Sequence, residues 1–155
     1  MAAFEAKIQY NRLFVRTEKM PQAVRAEVLD AATVYEEALT NLAQSEAPEK
    51  TGYLRAHIKG RVSQSARRIT GRVTARTKYA AILEWGGTIK AHDIAAKNAG
   101  ALAFLRGAEE LYRLIVHHPV SIFEDHPYMH KAFEQMEGEI VAGLEGAVNR
   151  GLAAS

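Results

Sequence analysis

The residues most able to do chemistry in this sequence are its six histidines. His126 and His130 are four apart, the spacing that sets two imidazoles on one helix face in metal-binding helices. His117-His118 and His92-Asp93 offer further ligands. The pattern stops short of a metal site. No glutamate stands between His126 and His130 as in the helical zinc proteases, and neighbours such as 117 and 118 point to opposite sides of a strand. His118 and His126 each precede a proline, which favours turn geometry. Among the carboxylates, Glu36-Glu37 and Glu109-Glu110 read as solvated pairs, not as an acid–base couple held in a cleft. Glu84 and Asp93 flank a glycine-rich turn, where a lone glutamate caps or pairs more often than it catalyses. Ser63, Ser65 and Ser121 lack a nucleophile's strand-to-helix turn. Trp85-Gly86-Gly87-Thr88 lacks the lysine and spacing of a phosphate loop. The chain has no cysteine, which excludes disulfides, thiolate zinc sites, iron–sulfur clusters and thiol nucleophiles. No catalytic residue, metal or cofactor is assigned on these groups.

The charge distribution is more informative than any of these groups. Between Lys50 and Lys78 lie nine basic residues and no acidic one; the rest of the chain holds 11 basic and 18 acidic residues, for a formal net charge of +2. Within this block Ile58, Gly60 and Val62 alternate with Lys59, Arg61 and Ser63, and Ile69, Gly71, Val73 and Ala75 alternate with Thr70, Arg72, Thr74 and Arg76. Two such runs around Gln64–Arg68 predict a hairpin over 58–76 with one small apolar face and one basic face. Lys59, Arg61, Arg72 and Arg76 share the basic face, with Arg67 and Arg68 near its turn. Three readings of that face stand. It binds the phosphates of a nucleic acid, it is a solvated strand face that resists edge aggregation, or it meets the acidic surface of a neighbouring subunit. The third is preferred, since no aromatic residue interleaves with the hairpin's cations to stack bases.

The elements that must position these residues follow from periodicity. Phe4, Ala6, Ile8 and Tyr10 alternate with Glu5, Lys7 and Gln9, predicting a half-buried strand over 4–10. Val24, Val28, Ala31, Tyr35, Ala38, Leu39 and Leu42 predict an amphipathic helix starting at Pro21 and ending near Ser45, ahead of Pro48. Tyr79–Trp85 reads as a short helix stopped by Gly86-Gly87. Residues 88–100 have no periodicity and read as a loop. Residues 101–117 fit either a helix, on local propensity, or a hairpin, on Gly100, Gly107 and the run Leu114-Ile115-Val116. Met129, Phe133, Met136, Ile140, Leu144 and Val148 predict a final helix from about Pro127 to Asn149. Gly138, Gly143 and Gly146 inside it imply either very close packing or a soft end. At 155 residues, 48% apolar and 25% charged, the chain is sized and composed as a single globular domain. Its start is not a signal peptide, and no apolar run is long enough to span a membrane.

These motifs fall in a familiar order. Pro48-Glu49-Lys50-Thr51-Gly52-Tyr53-Leu54-Arg55 precedes the two strands, and Tyr79-Ala80-Ala81-Ile82-Leu83-Glu84-Trp85-Gly86-Gly87-Thr88 follows them. Then come His92, Ala101-Leu102-Ala103-Phe104, His118-Pro119 and Pro127-Tyr128-Met129. Over about residues 48–148 the chain resembles the small tail-completion, or tail-terminator, proteins of long-tailed bacteriophages and related prophages. It departs from their pattern by an extra glycine in the Glu84–Thr88 turn and by Val120 after His-Pro. The resemblance implies an α+β fold, with a small antiparallel β-sheet packed with a long N-terminal helix and a C-terminal helix, and a hairpin over 101–117. It implies a virion protein, assembled in the bacterial cytoplasm, that forms a ring, usually of six copies, at the head–tail junction. Such a ring ends the tail tube or joins tail to head, and the resemblance implies no enzymatic role. Its partners are further copies of itself, the tail tube protein and the head-completion or neck proteins, with DNA contacted only as it passes through the ring. The expected interface comprises the basic residues above with Tyr79, Glu84, Trp85, Gly86, Gly87, Thr88 and His92. In it the 86–100 loop docks on a neighbour or on the tube, and Trp85 serves as an anchor unless it packs in the core. The rival from another class is a small nucleic-acid-binding module that uses the 58–76 hairpin.

Overall fold

A computed structural model describes residues 6–9, 12–17, 19–48, 52–97 and 100–154. Of the strand predicted over 4–10, residues 6–9 form β1 (Ala6–Gln9), and the remainder lies outside the described residues. A second strand, β2 (Arg12–Arg16), turns back on it. Helix α1 (Gln22–Glu46) follows Pro21 and stops ahead of Pro48, as its spacing predicts. After a single turn, α2 (Tyr53–Ala56), the basic block forms the predicted hairpin of β3 (Ile58–Gln64) and β4 (Arg68–Ala75). The four strands make one antiparallel sheet in the order β1-β2-β4-β3.

One face of this sheet is small and apolar, and α1 packs on it. Ile58, Ile69 and Val73 from the sheet join Val24, Val28, Leu39 and Ala43 of α1 in the buried core. Gly60 lets the helix come close, because a Cβ there would run into the Glu36 and Thr40 side chains. The hairpin's turn is pinned to the same helix, with the Arg25 guanidinium donating to the Ser65 and Ala66 carbonyls.

The second long helix, α4 (Tyr128–Ala153), runs four residues beyond its expected end. It lies antiparallel to α1. Gly151 sits against the Val24 backbone and Gly143 against the Tyr35 ring, and Arg150 Nε donates to Glu27 Oε2 at 3.0 Å. Phe133, Met136, Ile140 and Leu144 complete the core between the helices. Close packing therefore accounts for Gly143, but Gly138 has nothing within 4 Å and Gly146 meets only the Arg150 side chain. Nothing within the described residues explains those two glycines. The architecture is α+β, with a helical layer on one face of the sheet.

Between the layers' last two segments the chain departs from the sequence reading. Helix α3 (Ala80–Trp85) forms as predicted and ends at Gly86, whose φ of +68° suits glycine. The segment read as a loop over 88–100 is instead largely extended, with β5 (Gly87–Ile89) and β6 (His92–Ala95). The 101–117 region does form a hairpin, β7 (Leu102–Arg106) and β8 (Glu109–Arg113), but then continues into β9 (Ile115–His118) and β10 (Ser121–Phe123). The pairs are nested: β7 with β8, β6 with β9, and β5 with β10. The described residues between 87 and 123 thus make three nested antiparallel pairs, a two-stranded ribbon that runs out from α3, turns at Gly107, and returns to α4. Sequence periodicity missed its proximal strands because neither face of the ribbon meets the core, so no regular apolar alternation was required of it.

Candidate functional site

The ribbon is rooted by Glu84. This carboxylate is only 6% exposed. It accepts hydrogen bonds from the backbone N–H of Met129 at 3.0 Å and of His130 at 2.8 Å. Those two amides belong to the first turn of α4, whose N–H groups have no partner within the helix. An anionic acceptor there is favoured by the helix dipole as well. Leu83 adds a second tie, its carbonyl accepting from His126 N–H at 2.7 Å. Helix α3, at the outgoing end of the ribbon, is thereby fastened to the segment where the ribbon returns. Among the residues expected at the interface, Glu84 has its carboxylate buried and committed to the helix start.

Beside this root lies a cavity of about 410 Å³ lined by Ala75, Ala80, Trp85, Tyr128, Met129 and His130, among others. Trp85 is 60% exposed at its rim, 6.4 Å from the His130 ring centroid. Trp85 therefore does not pack in the core. Tyr79 is also exposed nearby. Tyr128 is buried, and its phenol pKa is pushed up to about 12, first by burial and then by the charge of Glu84 and by Tyr79. Its hydroxyl stays neutral at physiological pH.

Along the ribbon no side chain between Gly87 and Pro127 is fully buried among those described. Ile122 is 80% exposed, Leu114 69% and Ile115 59%, and Ile94, Tyr112 and Val120 are exposed with them. His92 lies directly opposite His118, and the two rings stack with centroids 5.0 Å apart. Asp93 lies opposite His117, and its Oδ1 is 2.8 Å from His117 Nδ1. Thr88 is exposed on β5 opposite Ile122. His126 precedes α4 and does not share a helix face with His130, which pairs instead with Glu134. Among the described residues no group of three or more His, Asp or Glu is placed to hold a metal ion.

The basic residues gather on the sheet face that the helices leave uncovered. Lys59, Arg61, Arg68 and Arg72 are exposed there, Arg67 is exposed at the hairpin turn, and Arg76 is exposed just past β4. The register adds what the sequence did not show. Arg61 lies opposite Arg72, Arg72 opposite Arg12, and Arg68 opposite Arg16. Two rows of arginine positions therefore cross the sheet through β2, the strand that sequence reading missed. The structure thus separates the sequence-predicted residues into two places: the basic face of the sheet, and the root and proximal part of the ribbon with Tyr79, Trp85, Gly86, Gly87, Thr88 and His92.

No protein-family model matches the chain, and no curated protein or solved structure is similar to it.

Proposed function

We propose that this chain is a structural virion protein that forms a ring at the head–tail junction of a long-tailed phage, where it ends the tail tube or joins tail to head. The observation that carries the reading is the rooted ribbon over 87–123. A two-stranded ribbon is marginal in water unless it packs on something. This one holds the large apolar side chains Ile122, Leu114, Ile115, Val120 and Tyr112 out in solvent along its length. Its root is fixed to the body through Glu84 and Leu83, so it is offered to a partner from a fixed base. These features fit an assembly protein, and the resemblance of the ordered motifs to those of tail-completion proteins supplies the kind of assembly. The partners in this reading are further copies of the chain, the tail tube and the neck proteins.

Deletion of the gene from the phage or prophage that carries it, followed by electron microscopy of the lysate, tests this. Detached heads with overlong tails are the outcome for a terminator, and detached heads with tails of normal length for a joining protein. Intact infectious particles would overturn the reading. Trp85→Ala tests the anchor: this exposed residue can be truncated without unfolding the chain, and heads and tails should then fail to join.

The arginine rows favour one second reading, a nucleic-acid-binding module that uses the same sheet face. It requires binding at low salt that falls steeply as salt is added. Reversing Arg61 and Arg72 would abolish that binding while leaving the solution mass unchanged.

A further inference from the structure

We propose that the basic outer face of the sheet seats against the acidic outer face of the helical layer of a second copy, so that copies join head to tail. The proposal deepens the ring reading by naming the two surfaces, and it rests on that reading.

Like charges directly opposite one another on a sheet face repel. The register sets Arg61 against Arg72. Lys59, Arg61 and Arg72 form no ion pair among the described residues. An anionic surface laid over these three cations would relieve their mutual repulsion. The opposite side of the same molecule is such a surface. Asp30 and Glu37 of α1 and Glu134, Glu137, Glu139 and Glu145 of α4 are exposed on the helical layer. Against them stand Lys131 and Arg150, and Arg150 already bonds Glu27.

The placement of the two charges decides the symmetry. A two-fold dimer through either face would set basic against basic or acidic against acidic. Only a heterologous contact, the front of one copy on the back of the next, joins opposite signs. Contacts of that kind generate closed rings or open filaments. A nucleic acid would satisfy the basic face but leave the acidic layer without a role. The small net charge of +2 would also give a polyanion little long-range attraction.

The test is sedimentation velocity on the full chain at low salt, with charge-reversed variants. The wild type should self-associate, and its association constant should fall about tenfold or more as salt rises and exposed charges are screened. Arg61→Glu/Arg72→Glu and Glu134→Lys/Glu145→Lys should each abolish association. Unchanged melting of each variant shows that folding is intact. A wild type that stays monomeric at every concentration overturns the proposal, as does association that the reversals leave untouched. Loss of nucleic-acid binding with no change in mass would hand the face to the rival partner. If the reversals act as stated but electron microscopy shows open filaments instead of rings, the contact stands and the ring reading fails.

Discussion

At the scale of single residues, Glu84 is the clearest case of a group whose surroundings decide its role. A carboxylate ahead of two glycines reads from the sequence as a capping or pairing group, and it is one. What the sequence cannot give is the partner, since Met129 and His130 are far along the chain and reach Glu84 only after the ribbon has closed. Two charge-assisted bonds to otherwise unpaired helix amides give Glu84→Ala an expected cost of about 2–3 kcal/mol, with Glu84→Gln costing roughly half as much because it keeps an acceptor. Urea unfolding with an unchanged slope measures both; a loss within about 0.5 kcal/mol, the range of an ordinary surface change, would show that the amides find water equally good. Tyr128 makes a pH prediction at the same site. Its pKa is raised from 10.0 to about 12 by burial and then by Glu84. The folded state therefore holds a proton that the unfolded state has lost between those values, and stability falls as pH rises. The contribution is intact below about pH 10 and gone above about pH 12. Tyr128→Phe should flatten this alkaline limb in a series of melting curves, whereas an identical limb in both proteins would place its origin elsewhere.

At the scale of elements, legibility followed contact with the core. Helix α1, the β3–β4 hairpin and helix α4 each turn one periodic face to the same apolar interior, and each was readable from spacing alone. Strand β2 carried a signal too, with Leu13 and Val15 between Arg12, Phe14 and Arg16, yet five residues are short for a periodicity argument. The proximal ribbon strands carried none, since a sequence such as Gly87-Thr88-Ile89 answers to no buried face. The α4 glycines separate two physical situations that sequence cannot tell apart. A Cβ at Gly151 would lie 2.3 Å from Val24 Cα. The obstacle is backbone, so Gly151→Ala must push the helices apart and should cost about 2 kcal/mol or more, as overpacked cores do. Gly138 has open space around it, so Gly138→Ala should stabilise the helix by about 1 kcal/mol. Thermal unfolding of the two variants should shift in opposite directions. A shift of the same sign in both would mean that the helix pair is not packed as described.

At the scale of the whole molecule, the division between body and ribbon governs what removing a part can do. The core lies between the sheet and the two long helices, and no ribbon side chain belongs to it. Strands β7 and β8 touch chiefly each other. Burial of apolar area, the main source of folding stability, is thus supplied almost wholly by the body, while the ribbon carries apolar residues out into solvent. Ile89 and Ser121 lie opposite each other near the root. Residues 90–120 can therefore be replaced there by an Asn-Gly turn, which suits the twist of a two-stranded hairpin. This shortened chain keeps Glu84, its bonds to α4 and the β5–β10 pair. Its melting temperature should stay within about 4 °C of the parent, the shift expected for about 1 kcal/mol in a domain of this size. In the phage it should fail to join heads to tails, because the projection that meets the partner is gone. A shortened chain that no longer folds would make the ribbon part of the body's stability. One that folds and still completes virions would remove the ribbon from the assembly reading and leave the charged faces to account for it alone.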